Sequence, residues 1–316
     1  MPTRLPALTA TDVDGDLSLV RDLISRTAED PAMFEYAYDV AKKIDAKLTL
    51  GGRTDALRDL RQLGLEDFGE LLTSMPDPSL PNLSLVLPRM ASTDVQISWT
   101  GAHGLSLLKQ TCNFVRSASY NFTRLTGRPL DGAELLDYGC GYGRIARLMY
   151  YFTDPEHLIG VDPWDRAIEL CHQAGLGVNF RQSDYLPKDL PVGDVRFDLI
   201  YAFSVFTHLS ARATRQVLDT LRHYVRGDGV LVITIRPLEY WSVGYPGHSD
   251  SPTAEHRRSG FAFVPHNREP VDGDVTYGDT SMTPDWIATE FPRWRLTALD
   301  RSLDDPYQVY VFLQPV

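Results

Sequence analysis

Along the first third of the chain, apolar residues recur every three or four positions with charges between them. That spacing predicts amphipathic helices over 17–28 (LSLVRDLISRTA), 33–44 (MFEYAYDVAKKI) and 55–75 (DALRDLRQLGLEDFGELLTSM). Asp16, Asp30 and Thr54 are placed to cap them. Residues 76–90, PDPSLPNLSLVLPRM, hold four prolines and predict a non-helical connector. We accordingly expect a helical N-terminal extension over 1–94 and a second unit over 95–316.

From residue 133 the pattern becomes strand, turn, helix, repeated. Apolar runs at 133–138, 157–162, 177–184, 197–206 and 229–236 alternate with helical spacing at 144–152, 166–175 and 213–225. Buried strands alternating with helices imply parallel pairing with right-handed crossovers, hence an α/β, Rossmann-like sheet. Ligands in such sheets lie beyond the carboxyl ends of the strands. A glycine turn, Asp162, Asp184 and Ser204 all fall on that edge.

Composition narrows the function classes. The net charge of −11 disfavours a nucleic-acid partner. The three cysteines, Cys112, Cys140 and Cys171, lack metal-ligand spacing, so no metal site is expected and a reducing compartment suits them. With no long apolar run and no leader-like start, a cytoplasmic protein without a membrane span is expected.

The candidate chemistry centres on LLDYGCGYGR, residues 135–144. A dinucleotide fingerprint would need glycine where Arg144 stands, and a P-loop would need Gly-Lys-Ser/Thr where Gly-Arg-Ile stands. Asp137, two residues before Gly139, repels phosphate and attracts an ammonium group. Asp162 is placed to accept a ribose diol, with Asp165 the better cap for the helix that follows. Asp184 is placed to accept the amino group of adenine, or else is a solvated turn residue. Ammonium, ribose and adenine together describe S-adenosylmethionine.

The run Asp137-Tyr138-Gly139-Cys140-Gly141-Tyr142-Gly143 resembles the first motif of class I S-adenosylmethionine-dependent methyltransferases. The resemblance continues through GVDP (160–163), SDYL (183–186), FDLIYAFSVFTHL (197–209) and YVRGDGVLVITIR (224–236), with Arg226-Gly227-Asp228-Gly229 in place of the usual Pro-Gly-Gly turn. It implies a seven-stranded sheet with its last strand antiparallel, formed at its end by 294–302 and 306–314. It also implies cofactor contacts from Asp137, Gly139, Gly141, Asp162, Pro163, Asp184, Tyr185 and Phe203.

Two stretches lie outside these motifs. QISWTGAHG (96–104) is expected to form a turn in which Trp99 either covers the methionine end of the cofactor or anchors the core. The segment 237–283 is expected to be a long loop covering the substrate, with Tyr240, Trp241 and Tyr245 against a flat ring or sugar face. Methyl transfer to a hydroxyl is helped by a general base, for which His208 is the first candidate, titrating near pH 6–7, and His248 the reserve. These residues point to O-methylation of a small molecule or saccharide. The alternatives are N-methylation, a nicotinamide-dependent oxidoreductase, and a non-catalytic cofactor-binding protein.

Overall fold

The computed structural model describes residues 34–48 and 52–316. The helix expected over 17–28, with Asp16 and Asp30, lies outside the described residues. The chain begins with helices α1 (Glu35–Lys47), α2 (Arg53–Leu60), α3 (Leu65–Ser74), α4 (Pro81–Val86), α5 (Thr93–Thr100) and α6 (Gly104–Thr126).

Several elements here differ from the expectation. The single helix over 55–75 is broken into α2 and α3, because Gly64 takes an extended conformation and starts a new helix. At the break, Arg61 donates to the carbonyls of Tyr150 and Thr153 and pairs with Asp154. Thr54 lies inside α2, whose N-cap is Gly52. The proline-rich connector holds α4, whose Pro81 sits in the first turn, where a missing N–H costs nothing. Residues 93–100 are helical rather than a turn: Ser92 caps α5 and Gly101, at φ 74°, ends it. The 23-residue α6, the longest described helix, fills the stretch between the connector and β1, for which the pattern predicts no element.

The strands follow as β1 (Leu135–Tyr138), β2 (Leu158–Asp162), β3 (Phe180–Gln182), β4 (Phe197–Ala202) and β5 (Val225–Ile235). Between them run α7 (Arg144–Met149), α8 (Asp165–Gln173) and α9 (Ala211–Tyr224). Asp165 is the first residue of α8 rather than its cap. After β5 come α10 (Tyr240–Gly244), α11 (Asp250–Ser259), the hairpin β6 (Phe261–Pro265) and β7 (Gly278–Met282), α12 (Pro284–Glu290), β8 (Trp294–Arg301) and β9 (Val309–Pro315). The seven-stranded sheet has the order β3-β2-β1-β4-β5-β9-β8. In this sheet β9 alone runs opposite in direction to the other six strands. The order reverses between β1 and β4, which places the ligand crevice at their carboxyl ends.

Alternation along the strands sends successive residues to opposite faces. Leu135, Leu199 and Tyr201 join one apolar cluster with Phe114 and Phe122 of α6 and with Leu57, Phe68 and Leu72 of the N-terminal helices. Leu136, Ile200 and Leu231 join the other, against Val217, Leu218 and Leu221 of α9. The helices before residue 94 therefore share a core with one face of the sheet. Among the described residues no helix is long and apolar enough to cross a membrane, and no group of acidic, His or Cys side chains is placed to hold a metal.

Candidate functional site

The turn after β1 is held open by glycine. Gly139 has φ 75°, and a Cβ on it would stand 2.3 Å from Cγ2 of Val205, so any side chain would collide with the loop after β4. Its N–H donates to the Val161 carbonyl at 2.8 Å, tying the turn to β2. The N–H of Gly141 donates to Asp162 Oδ2 at 2.9 Å, and Asp162 Oδ1 accepts the Trp164 N–H at 2.9 Å. Asp162 thus joins two strand-end turns, and burial raises its pKa against these backbone donors. Each oxygen retains a lone pair for a ligand hydroxyl.

Asp137 is buried, paired in register with Gly160 and Tyr201 of the flanking strands. Its Oδ2 and Ser183 Oγ make no well-formed hydrogen bond, and the polar neighbour of the buried Tyr201 hydroxyl is the Asp137 carboxyl itself. Burial pushes the Asp137 carboxyl up to about 8, partly offset by the Tyr201 hydroxyl, with Asp162 adding to the rise. Orphaned buried polar atoms are uncommon in folded proteins. An unpartnered carboxyl oxygen on β1 and an unpartnered hydroxyl just past β3, with a glycine turn beside the first, fit a ligand bearing ammonium and hydroxyl donors.

Trp99, from α5, stacks on Trp164 with ring centroids 4.4 Å apart and lies 5.8 Å from the Tyr142 ring. It also lies 3.9 Å from where a Cβ on Gly141 would be, so it roofs the turn. Phe203, just beyond β4, packs 4.8 Å from Phe114 and lies under the Arg144 guanidinium at 5.1 Å. Pro163 follows Asp162, and its carbonyl accepts from Gln182 at 3.2 Å. Trp99, Asp137, Gly139, Gly141, Asp162 and Phe203 are therefore gathered around β1. Asp184 and Tyr185 stand exposed past β3, Asp184 lining a shallow groove with Ser183 and Asp189.

The segment 237–283, expected as a loop, folds into α10, α11 and the β6–β7 hairpin. The free edge of β7 pairs with the chain after β4: Gly278 donates to His208 O, and Thr280 to Thr207 O, each at 2.9 Å. Beneath it Asp279 accepts from Arg236, from the Tyr245 hydroxyl at 2.6 Å and from His266 at 2.9 Å. These partners overcome burial and hold the Asp279 carboxyl well below the usual carboxylate range. Tyr240 lies 4.1 Å from the Arg236 guanidinium. Trp241, expected to face a substrate, is fully buried and donates its indole N–H to Ser281 at 2.7 Å, anchoring the hairpin instead.

His208 also departs from expectation. Its Nδ1 lies 2.7 Å from the Gly278 carbonyl, which makes that nitrogen the N–H donor. Nε2, left as acceptor, faces Arg236 Nη2 at 3.3 Å, and the ring stacks on Tyr277 at 5.0 Å. Burial and the Arg236 charge lower its pKa to about 4, outweighing Gly278 and Asp279. It does not titrate near pH 6–7. His248 is exposed on the turn after α10, and its ring makes no hydrogen bond among the described residues.

Pattern reading missed Arg144, Trp164 and the Asp279–Arg236–His266 cluster. Trp164 had a signal, standing two residues beyond the acid that ends β2. The cluster had none, because its members are far apart in sequence.

Residues 135–229 match the family model described as a methyltransferase domain. Among solved structures, the chain is similar to an S-adenosylmethionine-dependent methyltransferase from Clostridium acetobutylicum, at 11% identity and a TM-score of 0.47 over 70% of this chain and 96% of that one. It is similar to DesVI of Streptomyces venezuelae at 14% identity and a TM-score of 0.46, over 71% and 98%. It is also similar to the magnesium protoporphyrin IX methyltransferase of Synechocystis at 14% identity and a TM-score of 0.44, over 70% and 92%.

Proposed function

We propose that this chain, a class I S-adenosylmethionine-dependent methyltransferase by its domain match and sheet order, methylates a small molecule at an oxygen that arrives already ionised. When bound, S-adenosylmethionine supplies a methyl group on a sulfonium whose thioether leaves neutral. The protein therefore stabilises no leaving anion, and its task is alignment, which is worth roughly 7–11 kcal/mol.

In this reading Asp137 takes the donor's ammonium, Asp162 the ribose hydroxyls, and Trp99 with Trp164 encloses the adenosyl end. Asp184 and Tyr185 border the adenine from the rim of β3. Tyr240 and Tyr245 hold the acceptor side beneath the hairpin.

The observation that carries the choice of acceptor is the state of His208. Its only free lone pair faces a guanidinium N–H, so it is a poor proton acceptor. A saccharide hydroxyl would need a base there, whereas a carboxylate, or a phenol that ionises near neutrality, needs only positioning. A neutral amine needs no base either, and this is the second reading. The test is a screen with isotopically labelled methyl donor against carboxylic acids, phenols, amines and sugars between pH 6 and 9. Labelling confined to sugars, and lost in His208→Gln, would overturn the reading.

A further inference from the structure

Gln308 stands at the foot of β9, just before Val309 pairs with Ile235 at the carboxyl end of β5. It is 9% exposed. Its Nε2 donates to Ser204 Oγ at 3.2 Å, while its Oε1 has no hydrogen-bond partner. Ser204 lies past the end of β4 at φ 59°, a conformation that residues with a side chain seldom adopt and that clusters at ligand sites. Its N–H is fixed by Thr234 Oγ1 of β5 at 2.7 Å, and its hydroxyl meets Thr207 Oγ1 at 3.3 Å. The carboxyl ends of β4 and β5 and the start of β9 are thus tied together by one small polar network. Gln308 Oε1 is its loose end.

The network has a definite place relative to the glycine turn. Val205, the residue after Ser204, packs so close to Gly139 that no side chain fits there, which puts it on the β1 side of β4. Gln308 reaches Ser204 from the other side, because the sheet runs β1-β4-β5-β9. A methyl donor over β1 and β4 and a ligand over β5 and β9 therefore meet at Ser204. Beside Gln308, the Tyr307 ring meets the Tyr240 ring edge to face at 6.4 Å, and both are partly exposed. Two aromatic rings next to a withdrawn amide suit a flat ligand with one polar edge. An amide oxygen only accepts, so that edge must carry a donor. No protein group supplies one. Arg236, just past β5, spends its donors on Asp279, on the Thr207 carbonyl at 2.8 Å and on His208 at 3.3 Å. An oxygen withdrawn from water and left unpaired costs the fold its desolvation, and a ligand donor recovers that cost.

We infer that Gln308 is a specificity-determining residue that accepts a hydrogen bond from the acceptor, an aromatic ring bearing a neutral hydroxyl in addition to the oxygen that is methylated. The inference rests on the ionised-oxygen reading above and adds to it which acceptors the site prefers: dihydric phenols and hydroxybenzoates over simple phenols and benzoate. The reacting phenolate or carboxylate oxygen gives a lone pair to the methyl carbon. The carbon–sulfur bond breaks with its electron pair staying on sulfur, leaving a neutral ether or ester and a neutral thioether. The second hydroxyl keeps its proton throughout, held by Gln308, so the step calls for no base. An acceptor without that hydroxyl leaves the amide oxygen unpaired in the complex. A site built around a hydrogen bond rejects such an analogue more strongly than an apolar slot does.

The experiment measures kcat/KM of the full-length protein with isotopically labelled methyl donor and two acceptor series. One sets 4-nitrophenol against 4-nitrocatechol, the other benzoate against its monohydroxy derivatives. Wild type should favour a hydroxyl-bearing member over its parent by about 5- to 100-fold, as expected when one buried acceptor atom goes unpaired. Gln308→Met fills the space without an accepting oxygen and should bring that ratio below about twofold, through loss on the better substrate. Gln308→Glu keeps an accepting oxygen and should keep the ratio above about fivefold, whatever its charge does to both rates. Calorimetry with S-adenosylhomocysteine should give dissociation constants within about threefold of wild type for both variants, which also reports that they are folded. A wild-type ratio near one overturns the proposal, and so does an unchanged ratio in Gln308→Met. Equal losses for parent and hydroxylated acceptors, or loss of S-adenosylhomocysteine binding, overturn it too and leave Gln308 as a strut between β4 and β9. Labelling of amines alone overturns the ionised-oxygen reading and the proposal with it, whereas a ratio near one among labelled phenols overturns the proposal only.

Discussion

Burial of His208 should make the stability of this protein sensitive to acid below pH 6.5. The imidazole is neutral in the folded protein, with a pKa lowered from 6.5 to about 4 by burial and by Arg236. Each tenfold change in proton affinity is worth about 1.4 kcal/mol, so full protonation of the unfolded chain removes about 3 kcal/mol of stability. The direction follows from which state binds the proton. The unfolded chain takes it up below pH 6.5, while the folded chain resists until about pH 4. Stability from this group is therefore complete above pH 6.5 and falls as the pH drops towards 4.

Other groups titrate in the same range, so the informative quantity is the difference between wild type and His208→Gln. Urea unfolding from pH 7 to 4.5 should show the wild type losing about 2 kcal/mol more than the variant. Asp279 confuses this little, because its lowered carboxyl contributes above the ordinary carboxylate pKa of 3.8 and loses that contribution only in more acid solution. Parallel curves for the two proteins would refute the burial argument. So would an imidazole resonance of His208 titrating between pH 6 and 7, or a wild-type rate limb there that the variant lacks.

Three further outcomes follow from the site. With its carboxyl pushed up to about 8, Asp137 is largely protonated at pH 7. It must ionise to receive an ammonium, so binding S-adenosylhomocysteine at pH 7 should release up to about one proton and tighten as the pH rises towards 8. Calorimetry in buffers of different ionisation enthalpy measures this, and zero proton release would count against the contact. Gly139→Ala sets a methyl 2.3 Å from Val205 at a φ of 75°. It should cost at least about 1–3 kcal/mol of stability or abolish ligand binding, read by thermal unfolding with and without S-adenosylhomocysteine. Trp99→Ala removes the stack on Trp164 and should weaken S-adenosylhomocysteine by about 0.5–1.5 kcal/mol. A normal dissociation constant in that variant would make Trp99 a structural anchor only.

What the sequence determined by itself is local and periodic. Apolar runs punctuated by glycine located β1, β2, β4 and β5, because burial on both faces demands continuous hydrophobicity. Asp137, Gly139, Gly141 and Asp162 were legible because a strand end, a tight turn and an acid succeed one another within a short stretch. Even the antiparallel final strand was implied by resemblance to a known order. The helix break near Gly64 was not legible, since the same spacing suits one helix or two, and only packing against Tyr150 and Asp154 settles where it falls, while the short helix at Pro81 was hidden by the prolines around it. The protonation state of His208 was beyond the sequence altogether. The motif around it places a histidine at a strand end. Only the hairpin folding back from 261–282 brings Gly278 to one ring nitrogen, and with Asp279 beneath it fixes Arg236 beside the other. Arg144 shows the same division. Its position after the glycines argued against a nucleotide phosphate, but that its guanidinium meets Thr111 and the Phe203 ring is a fact of distance, which only the folded chain decides.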